Sequence, residues 1–239
     1  MGLAIDWSGV LNGPARAWLL SGLAVTLVLT AVAGVIASAV AVILTALRLS
    51  PLAPARLATR AGVALIRNTP LLIQLMVWYF VGFGLLPAPL KAWMTRDRAW
   101  AELPGQVSAF APEFVASAWG VGLFIGVFLA EELRAGLNAV SPGQGEAAAS
   151  QGLGRWDTLA AILLPQALRN AYQPVVGQYL NLMKLTSITC SIGLAELTYQ
   201  ARQVESYNSH AFEAFALGSL FYLALGFGLE RLLLRARRG

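Results

Sequence analysis

One cation, Lys184, interrupts an apolar run and is flanked by Asn181, Thr186 and Ser187. In hydrocarbon a central ammonium costs at least about 2.5–3.5 kcal/mol on insertion scales. Two readings of it are open: it attracts a passing carboxylate, or it pairs structurally with Glu131 or Glu196. Arg67, Asn68 and Thr69 precede Pro70, where another apolar run begins. Arg67 can snorkel to an interface or touch a solute, and Gln74, inside that run, can hydrogen-bond a solute or a neighbouring helix. Glu131 and Arg134 stand three apart on one helix face and can pair locally. His210 and Glu213 share the spacing of metal ligands, but a single histidine makes a weak site, so no metal is expected. The polar residues form no nucleophile-and-base constellation; no catalytic residue is assigned and the chain is not expected to be an enzyme. A phosphate-binding Walker loop needs Gly-Lys-Ser/Thr. The two lysines follow Leu90 and Met183, which excludes one.

The elements that must position these residues are membrane spans. The chain has 239 residues, 57% hydrophobic and 12% charged, with mean hydropathy +0.65 and one cysteine. An average soluble domain is about 25% charged, so this surface cannot cover itself in water, and the same figures exclude a disordered tail, a coiled coil or a disulfide-stapled domain. A spanning helix needs about 20 apolar residues. Five stretches are expected to span, at about 17–47, 70–88, 113–138, 171–196 and 212–235, giving an all-α integral membrane bundle in a single domain, 1–239. The run from Ala17 to Leu47 is uncharged, follows Asp6 without a basic leader and is too long for a signal peptide.

Basic residues set the orientation. Arg48, Arg56, Arg60, Arg67, Arg134, Arg155, Arg169, Arg231, Arg235, Arg237 and Arg238 fall on one side. Arg16, Lys91, Arg96, Arg98 and Arg202 fall on the other. With the richer side cytoplasmic, the N-terminus is expected outside and the C-terminus inside. The net charge of +5 and the pI near 9.8 then report topology, and no nucleic-acid partner is needed. Trp7, Trp18, Trp93, Trp100 and Trp119 fall near the outer ends, as an interfacial belt requires. The outer segment from Lys91 to Pro112 mixes Trp, Pro and charge and is expected along the membrane surface.

The longest inner connection runs over about 138–170. Ser141 suits an N-cap and Pro142 a first helical position. Glu146 is expected near the positive end of that helix, with Gly152 and Gly154 offering the left-handed backbone that ends it. A second short helix, Trp156 to Leu164, is expected to stop before Pro165. Ala147, Ala148 and Ala149 leave the first helix nearly bare, so another protein's cleft can approach closely.

Glu146-Ala147-Ala148, then Gly152, then Ile162-x-Leu164-Pro165 resembles the EAA motif of permease subunits of ATP-binding-cassette importers. The run Arg67 to Gln74 is similar to a segment of the polar amino acid permeases, the histidine/glutamate/glutamine/arginine/opine group. So are Glu131 to Gly136, Asn181 to Ile188 and Gly193 to Leu197. Five spans, the outer segment and Ser209 to Glu213 look most like the glutamate/aspartate branch; Leu185 and Phe128 depart from its pattern.

The resemblance implies a type I importer bundle with a cytoplasmic coupling helix carried by Glu146, Ala147, Ala148, Gly152, Leu153 and Gly154. It implies a substrate path touching Lys184, Asn181, Thr186, Ser187, Arg67, Asn68, Thr69, Gln74 and Glu131. ATP and Mg would be bound by a partner ATPase homodimer, and this chain would hold no cofactor. Further expected partners are a second permease, taken as a homologue in a heterodimer, a periplasmic binding protein and membrane lipid. The implied place is a bacterial inner membrane, and the cargo a polar, acidic amino acid. Another polar or basic amino acid is the alternative. An ATP-independent transporter or channel would need broken ion-coupling helices and an internal repeat, and neither is seen.

Overall fold

The computed structural model describes residues 5–96 and 98–236; Arg237 and Arg238, counted above on the inner side, lie outside them. In chain order the helices are α1 (Ser8–Leu11), α2 (Gly13–Leu49), α3 (Ala53–Arg67), α4 (Leu71–Met76), α5 (Phe83–Leu85) and α6 (Ala88–Met94). Then come α7 (Pro112–Asn138), α8 (Pro142–Ser150), α9 (Arg155–Thr158), α10 (Leu164–Leu185), α11 (Leu197–Asn208) and α12 (Ala211–Ala236). Two strands, β1 (Glu102–Leu103) and β2 (Val107–Ser108), pair antiparallel within the segment expected along the membrane surface, Glu102 opposite Ser108.

Three helices, α2, α7 and α12, are long and apolar enough to cross a membrane, and a fourth candidate is α3 with Leu71–Leu85 as one broken span. The expected second and fourth spans are helical at their places. The run 71–85 is short of a bilayer's thickness, and α10 carries Arg169, Asn170, Lys184 and Pro174.

The described chain divides into two units, residues 1–36, 69–122 and 180–239 in the first, 37–68 and 123–179 in the second. In the first unit, α2 buries Ala15, Leu19, Gly22, Thr26, Leu29 and Ala33. Steps of four and three make one narrow seam on a helix. Val10, Ala15 and Leu19 pack with Leu197, Ala201, Val204 and Ala214, while Val25 and Leu29 pack with Val107, Phe114, Ala118 and Leu194. The seam admits a close approach only because Gly22 has no side chain: a Cβ there would stand 2.9 Å from Leu197 Cα and 3.0 Å from the Glu196 carbonyl oxygen. Where the surrounding lipid is as apolar as the side chains, such close backbone packing is what joins helices. The Leu197 N–H donates to Thr26 Oγ1 at 3.1 Å, so the start of α11 is hydrogen-bonded inside the seam.

The second unit uses the same device. A Cβ on Gly126 would meet Val40 at 2.6 Å and the Ala37 carbonyl at 2.9 Å, and Gly136 lies against Ala167 and Ala171. Polar cross-links supplement it: Ser38 and Tyr179 share a hydrogen bond of 2.7 Å, and Gln178 Nε2 donates to Glu132 at 3.1 Å.

The sequence expectation names no helix between its first two spans or between its last two, yet Ala53–Arg67 forms α3 and Leu197–Asn208 forms α11. The stop before Pro165 is a third difference. Helical backbone continues from α9 through a wider, π-type segment, Leu159–Leu163, into α10. Proline lacks an N–H and crowds the carbonyl four residues back. A π turn removes that demand locally, so the helical backbone runs on through Pro165 in α10.

Candidate functional site

The first candidate region is the stub from Ser141 to Asp157. Ser141 occupies the N-cap of α8 without a side-chain bond, Pro142 follows at the first helical position, and the Ser141 carbonyl accepts from Gln144 N–H at 3.0 Å. Glu146 lies in the second turn and not at the positive end, since the first turn holds no acidic residue. The helix ends in a paired-bond cap: Leu153 N–H donates to the Ala148 carbonyl at 3.1 Å and Gly152 N–H to that of Ala149 at 3.0 Å. Gly152 takes the left-handed conformation, φ +79°, which this cap requires at that position. Gly154 does not share it; its φ is −65° and it caps the start of α9.

Glu146, Ala147, Gly152, Leu153 and Gly154 are all exposed, as are Gln151, Arg155 and Trp156. Ala148 is the exception. It is buried, so the second alanine of the motif packs against its own unit and does not face outward. Leu153 and Trp156 border a cavity of about 450 Å³ with Leu49, Ala149 and Leu159.

The second region surrounds Lys184. The helix carrying it tightens directly afterwards into a 3₁₀ segment, Thr186–Ile192, ended by Gly193 at φ +87°. The cause is local. Hydroxyls of Thr186, Ser187, Thr189 and Ser191 each donate to the carbonyl three residues back, at 2.6–2.7 Å, and such back-bonding pulls the backbone off α geometry. The run Thr-Ser-x-Thr-x-Ser was the available signal.

Asn181 and Lys184 are exposed and Ser187 is half-buried, whereas Thr186 is fully buried. Lys184 and Ser187 line a cavity of about 310 Å³ with Thr198, Phe215, Ser219 and Tyr222. Asn181 is not among its lining residues. α4, bearing buried Gln74, packs on the Thr186–Ile192 segment, and Gln74 Nε2 donates to the Thr69 carbonyl at 2.9 Å.

Both carboxylates considered as partners of Lys184 are engaged elsewhere. Glu196 is the N-cap of α11: its Oε1 accepts from Tyr199 N–H at 2.9 Å and its Oε2 from the Tyr222 hydroxyl at 2.7 Å. The sequence reading missed this cap, although Glu196 directly precedes a polar helix. Glu131 forms ion pairs with Arg48, with Arg67 at 3.3 Å and with Arg134 at 3.0 Å. The guanidinium of Arg67 also lies 5.5 Å from the ring centre of Phe128, the position where the chain departs from the acidic-substrate pattern. Asn68 ends α3 and borders the same arginine-rich cavity as Arg67 and Glu131.

The residues with metal-ligand spacing fasten the N-terminal segment. Glu213 Oε1 accepts from Asp6 N–H at 2.7 Å, and His210 Nε2 lies 3.7 Å from Asp6 Oδ2. Hydrogen bonds from Ser8 hold the Asp6 carboxyl below the usual carboxylate range.

A family profile described as "Binding-protein-dependent transport system inner membrane component" matches residues 34–236. The chain is 31% identical over 234 residues to the glutamate/aspartate import permease protein GltJ of Escherichia coli (strain K12), covering 93% of this chain and 90% of that protein. It is 34% identical over 179 residues to the probable glutamine ABC transporter permease protein GlnM of Bacillus subtilis (strain 168), over 75% of this chain and 73% of that one. A crystal structure of an amino acid ABC transporter with histidines superposes with TM-score 0.77 at 27% identity, covering 99% of this chain and 100% of the other. The inward-facing MetNI methionine ABC transporter shares the fold, with TM-score 0.62 at 20% identity over 94% of this chain and 98% of the other.

Proposed function

The chain belongs to the binding-protein-dependent transport system inner membrane component family and is a permease subunit of an amino acid ABC importer; from that premise we propose that it carries a polar, acidic amino acid, glutamate or aspartate. The observation that carries the cargo reading is the exposed Lys184 beside a largely apolar cavity that Ser187, Thr198, Ser219 and Tyr222 also border. Glu196 and Glu131, the carboxylates that would have neutralised it, are bound to other groups. A cation on a span face attracts a carboxylate at a depth where little else screens it. Asn181 and Ser187 flank it in sequence, and Gln74 and Thr69, joined by a hydrogen bond, belong to the same unit. In the second unit, Arg67 and Glu131 are charge-paired and border one cavity with Asn68. The relative from Escherichia coli bears a glutamate/aspartate import name, and relatives named for glutamine and arginine mark the alternative cargoes.

The chain works with a cytoplasmic ATPase homodimer that binds ATP and Mg, a second, homologous permease, and a periplasmic binding protein. Five spans and the coupling stub form one permease domain, with the 138–170 connection inside and the Lys91–Pro112 segment outside. Glu146, Ala147, Gly152, Leu153 and Gly154 seat in the ATPase, while Ala148 holds the stub to the bundle. ATP drives transport only by favouring one of two states. A rigid stub on the second unit is a lever by which closure of an ATPase dimer can bias them.

The test is uptake into vesicles holding the whole importer and its binding protein, with each labelled amino acid in turn. Saturable, ATP-dependent uptake of glutamate or aspartate in preference to glutamine and arginine is expected. Preference for arginine would overturn the acidic-cargo reading and leave the permease assignment standing.

A further inference from the structure

The positive-inside rule asks for arginines on one side of a membrane, not for arginines that face each other. In the second unit five of them converge. Arg56, Arg60 and Arg67, with Val63 and Ala64 between them, lie on one face of α3 and line a cavity of about 620 Å³; Arg48 of α2 and Arg134 and Glu131 of α7 complete it. Among the described residues Glu131 is the only carboxylate in that lining. It already serves Arg48, Arg67 and Arg134.

The remaining positive charge is unbalanced. Arg56 is steered by backbone oxygens, its Nη1 donating to Ser50 and Pro51 carbonyls at 2.9 and 2.8 Å, which orients a guanidinium without neutralising it. Arg60 is exposed, and no carboxylate lies within ion-pair range of it among the described residues. Arg48 Nε is buried without a hydrogen-bond partner. Arg56 and Arg60 stand four apart on α3, a like-charge spacing that weakens a helix unless an anion bridges it. Concave walls concentrate the field of such a cluster, and guanidinium forks match the paired oxygens of a phosphate.

The surroundings identify how that phosphate is presented. Arg48 directly follows the uncharged run Ala17 to Leu47, which puts the cavity at the membrane–water boundary. On the neighbouring stripe of α3, Leu57 and Leu65 are 69% and 68% exposed, and Leu52 just before the helix is 63% exposed. An arginine-rich helix with bare leucines alongside lies in the interface, its apolar flank among acyl chains. We propose that this cavity binds a phosphate group presented as the headgroup of an anionic phospholipid, its acyl chains lying along Leu52, Leu57 and Leu65. Basic pockets at that depth are suited to such headgroups.

The test uses the purified importer complex in detergent, titrated with phosphatidylglycerol or with phosphatidylcholine of the same chains, and reads bound lipid by native mass spectrometry. The wild type should retain phosphatidylglycerol in clear preference. Arg60→Gln, which removes no ion pair among the described residues, should lower that preference about fivefold, and Arg56→Gln/Arg60→Gln further, at about fivefold per arginine. Arg56→Lys/Arg60→Lys, which keeps the charge, should retain most of it. Equal retention of both lipids by the wild type, or an unchanged preference in Arg60→Gln, overturns the proposal. Inorganic phosphate is the second probe. Failure of millimolar phosphate to displace the lipid supports the headgroup; binding of phosphate without any lipid preference assigns the cavity to the soluble anion and overturns it.

Discussion

Glu131 and Lys184 are both charged residues of long helices, and the structure treats them oppositely. Glu131 gathers three guanidiniums, two of which come from residues 83 and 64 positions earlier in the chain. With Arg48 as buried as Glu131 itself, at 14% side-chain exposure each, removing the carboxylate leaves an uncompensated cation. Glu131→Ala should therefore destabilise the complex by about 3 kcal/mol, read as a lowered thermal midpoint. Lost uptake in Glu131→Gln at an unchanged midpoint would move this carboxylate from the frame into the path. Among the described residues no carboxylate pairs with Lys184, so Lys184→Ala should leave the midpoint nearly unchanged. It should cut uptake of an acidic amino acid by about tenfold or more, the worth of a charged hydrogen bond. Full transport by that variant would return Lys184 to a structural role.

An element succeeds or fails on a few backbone positions. The α8 stub depends on Gly152, whose φ of +79° costs a side-chain-bearing residue about 1–2 kcal/mol, more for a β-branched one. Gly152→Val should therefore turn the stub out of its docked geometry and lower binding-protein-stimulated ATP hydrolysis by about five- to thirtyfold. Basal hydrolysis by the partner should persist, and unchanged stimulation would count against docking through this turn. Gly22 matters for a different reason, since it has no special φ but faces Leu197 and Glu196 too closely for any side chain. Gly22→Leu should force α2 from the start of α11 and cost about 1–3 kcal/mol, measured as loss of the intact chain from detergent extracts on heating. The motif spacing made the stub helix, its turn at Gly152 and the exposure of Ala147 and Ala149 legible in the sequence, but not the burial of Ala148. The π segment before Pro165 was not, because proline's rule states only that an ordinary α turn fails there and leaves open whether the helix stops or widens.

At the scale of the molecule, an apolar exterior is the dominant fact. Leu220, Leu223, Phe227 and Leu232 of α12 are all more than half exposed, a surface suited to lipid or to a second permease and unsuited to water. Sidedness can be read by labelling. In a Cys190→Ser background, Gln151→Cys should react with a membrane-impermeant thiol reagent only in inside-out vesicles, and Glu102→Cys only in right-side-out ones; the reverse pattern would invert the topology. Membrane residence and the places of the long apolar helices α2, α7 and α12 were determined by sequence alone, because twenty apolar residues in a row need no partner to declare themselves. Only the tertiary structure decided which charges meet: that Glu131 belongs to Arg48 and Arg67, that Glu196 caps α11 beneath Tyr222, and that five arginines ring one cavity. The pairs of Glu131 with Arg48 and Arg67 and of Glu196 with Tyr222 join residues on different helices, and their energy exists only once helices have packed close enough to bring the groups within a few ångströms.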